Sequence, residues 1–83
     1  KLTAMIVTNH AEELRAAIHE RLVRGITRVP AKGGYTSDDK EVLFIVLTRY
    51  ELYDLKTIIN DVDPEAFTNI VETASVYGLF NKQ

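Results

Sequence analysis

The sequence predicts a single α+β domain over residues 1–83 with the element order β-α-β-β-α-β. Two segments carry apolar residues at helical spacing, and each follows a segment rich in β-forming residues. Between them lies the continuous apolar run Val42–Leu47, whose lack of alternation is typical of a strand that is covered on both faces. No linker, repeat or low-complexity stretch divides the chain, so one compact domain is expected.

The first strand and the first helix are predicted from the opening residues. Lys1–Thr8 is β-rich, and Asn9 is expected to be the N-cap of the following helix, with Glu12 at its third position. Gly25 is predicted to end this helix as its C′ residue. The apolar positions at helical spacing are Ala11, Leu14, Ile18 and Leu22.

A short strand and a longer loop are predicted next. Ile26–Val29 reads as a strand that Pro30 stops. Ala31–Glu41 is expected to be a loop, because it holds paired glycines, hydroxyl groups and several charges. The strand Val42–Leu47 follows it.

The second helix and the last strand have clear boundaries. Thr48 and Glu51 form a T-x-x-E capping box, and Pro64 is expected to end the helix. Ala66–Thr73 is predicted to be the last strand, with Tyr77–Phe80 as a tail that Phe80 holds to the body. The apolar face of this helix consists of Leu52, Leu55, Ile59 and Val62.

This order is the ferredoxin-like plan, in which two helices cover one face of a four-stranded antiparallel sheet and the first and third strands are central. The other sheet face is left open although its strands are apolar on both sides. This face is either a moderately apolar surface that stays exposed to solvent or, as we expect, a surface that further copies of the chain cover in a homo-oligomer. The predicted core consists of Leu14, Ile18, Leu22, Leu43, Ile45, Leu55, Ile59 and Phe67.

The loop is the candidate ligand-binding site. A glycine pair and a helix N-terminus both favour anions, and the topology brings the loop, the first helix start and the corner Asp61–Asp63 to one edge. Gly34 is expected to adopt positive φ. Two alternatives stay open: a turn without a ligand, or an edge that the acidic corner makes unfavourable for anions. The candidate ligand-binding residues are Asn9, Lys32, Gly33, Gly34, Tyr35 and Thr36.

Composition argues against several function classes. The net charge of −2, with interspersed signs, lacks the basic footprint of a nucleic-acid-binding protein. The chain has no cysteine, and His10 and His19 are too far apart in sequence for a common metal pair. No catalytic motif is present. We therefore expect no enzymatic activity, cofactor or metal.

Three segments resemble the cytosolic C-terminal domain of YitT-type integral membrane proteins: GITRVPAKGGYT, RYELYDLKTIINDVDPEAF and YGLF. Together they extend the resemblance over nearly the whole chain. The residues that match the family's motifs are Gly25, Thr27, Gly34, Tyr35, Thr36, Arg49, Glu51, Leu52, Asp63, Pro64, Ala66, Phe67, Gly78 and Phe80.

The resemblance implies a PII-like variant of the fold, typically a trimer, with nucleotide binding near the base of the loop between the second and third strands. It also implies attachment to a membrane-embedded segment or partner at the cytoplasmic face of a bacterial plasma membrane. Two functions follow as hypotheses. One is a regulatory or sensory domain that binds a small nucleotide-like or anionic ligand, or a membrane partner, through residues 31–41. The alternative is an oligomerisation module without a ligand.

Overall fold

The computed structural model describes residues 1–78. Its helices and strands confirm the predicted α+β class and the β-α-β-β-α-β order. A 3₁₀ turn, Arg49–Glu51, leads directly into the second helix. The elements are β1 (Leu2–Thr8), α1 (Ala11–Arg21), β2 (Thr27–Lys32), β3 (Asp39–Leu47), α2 (Leu52–Val62) and β4 (Phe67–Glu72).

The four strands found in residues 1–78 form one antiparallel sheet in the order β2-β3-β1-β4, so the first and third strands are central, as predicted. Along β1, every second residue is buried under the helices. Leu2 lies opposite Leu47, and Ile6 lies opposite Leu43. These pairs form the floor of the core because the side chains of paired residues lie on the same face.

The core lies between this sheet face and the two helices. Phe67 was expected there, but its side chain is 68% exposed, so that prediction is wrong. Phe67 lies opposite Val7, on the sheet face away from the helices. The predicted core residues that are buried are Leu14, Ile18, Leu22, Leu43, Ile45, Leu55 and Ile59.

We call the sheet face away from the helices the open face. It comprises Thr3, Met5 and Val7 of β1, Thr27, Val29 and Ala31 of β2, Lys40, Val42, Phe44 and Val46 of β3, and Phe67, Asn69 and Val71 of β4.

Both predicted ends of α1 are wrong. The N-cap is His10 rather than Asn9, and the backbone N–H of His10 donates to the Thr8 hydroxyl. At the other end, the backbone becomes extended at Leu22, three residues before Gly25. The Leu22 side chain is buried there, and its N–H still bonds the helix at Ile18. The helix therefore ends before Gly25, and Gly25 is not its C′ residue.

The second strand continues through Pro30 to Lys32, so the prediction that Pro30 stops it is wrong. The N–H of Gly33 donates to Asp38 in register with the β2–β3 ladder. Alternation then directs the missing N–H of residue 30 away from β3, so proline costs the ladder no hydrogen bond. Residues 31, 32 and 39–41 are strand residues, and only residues 33–38 connect β2 to β3.

The second helix begins at the predicted capping box. The Glu51 carboxylate accepts hydrogen bonds from the Thr48 backbone N–H, at 2.8 Å, and from the Thr48 hydroxyl, at 3.1 Å. The helix ends at Val62, before Asp63 and Pro64. The expected packing of Phe80 falls outside the described residues.

Candidate functional site

The hairpin turn between β2 and β3 is closed by its own hydrogen bonds. The Gly33 N–H donates to the Asp38 carbonyl at 2.9 Å, and the Ser37 N–H donates to the Gly33 carbonyl at 2.8 Å. The Asp38 N–H donates to the Thr36 hydroxyl at 3.3 Å. Three backbone donors of this segment are therefore satisfied inside the turn rather than directed at a ligand.

The left-handed residue of the turn is Ser37, with a φ of 63°. The expectation of positive φ at Gly34 is wrong, because among residues 1–78 only Ser37 and Gly78 have positive φ. Tyr35 projects fully into solvent at the tip of the hairpin. Lys32 forms an ion pair with Asp39 at 2.7 Å across the base of the turn.

Below the hairpin, a polar cleft of about 100 Å³ lies where β1 ends and α1 begins. It brings together Asn9 and Lys40, whose ammonium group donates to the Asn9 side-chain oxygen at 3.2 Å. A second recess of about 110 Å³ shares Thr8, Asn9 and Lys40 with this cleft. The residues that line the cleft are Val7, Thr8, Asn9, His10, Lys40, Asp63 and Glu65. Of the candidate ligand-binding residues, only Asn9 lines either space.

Carboxylates outnumber cations around the cleft. Asp63 and Glu65 border it, and Asp39 and Glu41 border the neighbouring recess. The described side chains include no group of three residues that could hold a metal ion. The geometry at this edge therefore provides little attraction for an anion, whose main favourable contact is Lys40.

On the surface next to the cleft, arginine and glutamate side chains form ion pairs with one another. Arg28 donates to both oxygens of Glu41, at 2.7 and 2.8 Å, and to Glu12 at 2.8 Å. A hydrogen bond from Arg15, reinforced by Arg28, lowers the pKa of Glu12 to about 2. The hydrogen bonds from Arg28 also hold the pKa of Glu41 below its ordinary value. These carboxylates stay ionised at neutral pH, which suits a structural surface network better than acid–base chemistry.

The open face carries large apolar side chains on all four strands. Phe67 is 68% exposed, Phe44 36%, Val29 39% and Val71 40%. Val29, Val42, Val7 and Phe67 form one unbroken row across all four strands. Lys40, at the hairpin end, is the one charged side chain among the strand residues that the structure places on this face. The sequence indicated this surface through the apolar residues on both faces of β1 and β3.

An apolar groove of about 260 Å³ lies on the opposite side of the sheet, between α2 and the outer strand β4. The Thr68 hydroxyl in its wall is buried and has no hydrogen-bond partner among the described atoms. Sequence reasoning missed this groove, because its lining residues come from α2, from Pro64 and from β4, which only the fold brings together. The lining residues are Leu55, Lys56, Ile59, Asn60, Pro64, Thr68 and Ile70.

Comparison with known sequences relates this chain to membrane proteins. It is 60% identical over 82 residues to the UPF0750 membrane protein YitT of Bacillus subtilis (strain 168), which covers 99% of this chain and 29% of that protein. It is 33% identical over 75 residues to the UPF0750 membrane protein YvjA of the same organism, covering 90% of this chain and 27% of that protein. The chain thus spans less than a third of either relative. No helix within residues 1–78 is long and apolar enough to cross a membrane.

Solved structures share the fold. A functionally unknown protein from Pediococcus pentosaceus superposes with a TM-score of 0.78 at 16% identity, covering 94% of this chain and 95% of that one. A DUF2179 protein from Eubacterium ventriosum superposes with a TM-score of 0.67 at 22% identity, covering 86% of this chain and 99% of that one. At these identities the likeness concerns the fold alone.

The family described as "Uncharacterized protein conserved in bacteria (DUF2179)" matches residues 24–78. This region extends from the end of the first helix through the hairpin, α2 and β4. The match includes the hairpin residues and the capping box on which the resemblance to YitT-type proteins rests. The chain belongs to the DUF2179 family, whose domain also occurs in UPF0750 membrane proteins.

Proposed function

We propose that this chain is a non-catalytic assembly domain of a membrane protein and that it associates with other copies through its open face. The observation that carries the proposal is the apolar, almost uncharged surface that both central strands present away from the helices. Large exposed apolar patches on soluble domains mark interaction sites.

Other copies of the chain are the partner that this surface fits best. Because the face has almost no charge, it needs no partner of opposite charge, and further copies of the chain offer apolar rows of the same kind. The row Val29, Val42, Val7 and Phe67 gives a continuous ridge of branched and aromatic side chains for such packing. A trimer, which the family resemblance implies, is the arrangement we propose.

The membrane setting gives this association a role. Curated relatives of the chain are named membrane proteins of greater length. Association of the attached domains would hold several copies of the membrane protein together and would let a change in one copy reach another. By resemblance, we propose that the domain lies on the cytoplasmic side of the bacterial plasma membrane.

Binding of a small anionic or nucleotide-like ligand by the hairpin is the second candidate function. The fully exposed ring of Tyr35 favours it, because stacking on a base or another ring would remove this apolar surface from water. The closed turn at Gly33 and the acidic surroundings of Lys40 make it the weaker candidate. In this reading Asn9, Lys32, Gly34 and Thr36 remain candidate contacts.

The substitution Phe44→Glu tests the assembly function. It places a carboxylate in the centre of the open face, at a position that is already 36% exposed, so the isolated fold should tolerate it. Sedimentation velocity of the wild type at micromolar concentrations should show an oligomer, and the variant should lose the association made through the open face, so that no species larger than a dimer remains. Tyr35→Glu, which adds the same charge at the hairpin tip, is the matched control and should remain oligomeric. A monomeric wild type would refute the proposal.

A further inference from the structure

The two outer strands of the sheet differ in how their free edges are protected. Strand β2 forms one edge and β4 forms the other. Within each strand, backbone groups point alternately toward the neighbouring strand and away from it. The hydrogen bonds at the strand ends identify which residues of β2 and β4 point outward.

On β2, the outward-pointing residues are Arg28, Pro30 and Lys32. The Gly33 N–H bonds inward to Asp38, so the odd-numbered residues of β2 face β3 and the even-numbered ones face solvent. Pro30 at the centre of this edge has no N–H to offer. Proline and basic residues are the usual protection of a sheet edge against strand addition.

On β4, the outward-pointing residues are Thr68, Ile70 and Glu72. The Thr73 N–H donates to the Lys1 carbonyl at 2.9 Å, in register with the β1–β4 ladder. The odd-numbered residues therefore face β1, and the even-numbered ones direct their N–H and C=O groups away from the sheet. Strand β4 contains neither proline nor lysine, and its one charged residue, Glu72, lies at its end and forms an ion pair with Arg49. Within residues 1–78 no other strand pairs with this edge.

The apolar groove lies directly beside this unprotected edge. Thr68 and Ile70 belong both to the groove wall and to the outward-pointing set. A strand added to β4 would therefore place every second side chain on the helix side, next to the groove. Strand addition to an edge with neighbouring side-chain pockets is a known mode of protein recognition.

We propose that β4 pairs antiparallel with β4 of a second copy of this chain, with Ile70 of each copy opposite Ile70 of the other. This register pairs all outward-pointing residues: Ile70 with Ile70, and Thr68 with Glu72 in both directions. Each such pair exchanges two backbone hydrogen bonds. The two sheets become one continuous eight-stranded sheet.

The side chains of β4 suit pairing with itself. Two Ile70 side chains meet on the helix side and cover the outer end of the apolar groove. Glu72 of the second copy lies opposite Thr68, whose buried hydroxyl has no partner in the described single chain. The Glu72 carboxylates of the two copies do not lie opposite one another in this register. On the open face, Asn69 meets Val71, which extends the apolar rows into the second copy.

The proposed β4–β4 pairing depends on the proposed function in one respect only: both require that copies of the chain associate. The pairing uses the β4 edge, whereas the proposed function uses the open face.

The substitution Glu72→Pro tests the β4–β4 pairing. It removes one outward-pointing N–H donor from each copy, and the proline ring blocks the incoming strand. Lys32→Pro is the matched control, because it also places proline at an outward-pointing end residue of an outer strand and also removes a surface ion pair. In the Phe44→Glu background, which removes the open-face contact, sedimentation equilibrium should show dimer affinity lowered about tenfold or more by Glu72→Pro and unchanged by Lys32→Pro.

Cysteine cross-linking tests the register independently, because the chain has no cysteine of its own. In the proposed register, the two Cα atoms at position 70 lie roughly 5.5 Å apart, which is within disulfide reach. The two at position 69 are diagonal, roughly 7–8 Å apart. In the Phe44→Glu background, where the open face that includes Asn69 no longer associates, mild oxidation should therefore cross-link Ile70→Cys and not Asn69→Cys, with circular dichroism confirming that both variants fold.

The outcomes separate the two interfaces. If Phe44→Glu abolishes association while Glu72→Pro does not, and Ile70→Cys fails to cross-link, the β4 contact is refuted and the open-face proposal stands. If Glu72→Pro weakens association, Ile70→Cys cross-links and Phe44→Glu has no effect, the open-face proposal is refuted and the β4 contact stands. Cross-linking of Asn69→Cys alone would refute the register.

Discussion

The Thr8 hydroxyl donates a 2.6 Å hydrogen bond to the Asp63 carboxylate and so joins the end of β1 to the end of α2. Both residues are buried. The Thr8 hydroxyl also accepts from the His10 N–H, and the second Asp63 oxygen accepts from the Glu65 N–H. One pair of side chains thus fixes the start of α1, the end of α2 and the turn into β4. This explains Asp63 as a structural residue within the polar cleft.

Replacing Asp63 with alanine should destabilise the fold. The change leaves the Thr8 hydroxyl and the Glu65 N–H without their acceptor, and losing a partner of buried polar groups costs about 1–3 kcal/mol. Urea unfolding followed by circular dichroism should show this decrease in the free energy of unfolding. Asp61→Ala, at an exposed position near the end of the same helix, should change it by no more than about 0.5 kcal/mol. Equal effects of the two substitutions would contradict the structural role of Asp63.

Glu51 should contribute a pH-dependent part of the stability. Burial raises the pKa of this carboxyl, but hydrogen bonds from the Thr48 backbone and from Arg24 outweigh burial, and the net pKa lies below the ordinary value of 4.5. A lowered pKa in the folded state stabilises the fold above the unfolded-state pKa, and this contribution is lost as the pH falls through the folded-state pKa.

Glu51→Ala should therefore reduce the free energy of unfolding by about 1 kcal/mol at pH 7, because it also removes the helix cap. The difference from the wild type should shrink as the pH falls below 4.5. Thermal unfolding at several pH values measures both effects. Glu20→Ala, on the exposed side of α1, is the control. A difference that stays constant down to strongly acidic pH would show that the charge of Glu51 does not matter.

The two hairpin glycines should respond differently to alanine. A Cβ at Gly34 meets no atom within 4 Å, and its φ is not positive. Gly34→Ala should therefore raise the free energy of unfolding by about 0.4–1 kcal/mol, by restricting the unfolded chain. A Cβ at Gly33 lies 3.0 Å from the Thr36 hydroxyl, which accepts a bond within the turn. Gly33→Ala should raise the free energy of unfolding by less than Gly34→Ala does, or should lower it. The reverse order in chemical denaturation would contradict this turn geometry.

Local sequence patterns predicted most of the architecture. The helical spacing of Leu14 and Ile18 predicted α1, and the apolar run Val42–Leu47 predicted the central part of β3. The capping box at Thr48 could also be predicted from the sequence, because its hydrogen bonds connect residues only three positions apart. The resemblance to YitT-type proteins was likewise readable from the chain, and the family match confirms it.

The errors arose where distant residues decide the local structure. Phe67 reads as a core residue until the β1–β4 register places it opposite Val7, since a shift by one residue exchanges the two faces of a strand. Helix α1 ends at Leu22, whose side chain is buried in the core, and does not reach Gly25. Pro30 belongs to β2 because that strand lies at the edge of the sheet.

The sequence by itself determined the order and type of the elements, since these follow from periodicity and from contacts within one or two turns of the chain. Only the tertiary structure decided which surfaces remain available for function. The closed turn at Gly33, the groove beside Thr68 and the unprotected edge at Ile70 all depend on which strands become neighbours. Pairing of β1 with β4 joins residues about 70 positions apart, such as Lys1 and Thr73, and no local pattern specifies such a contact.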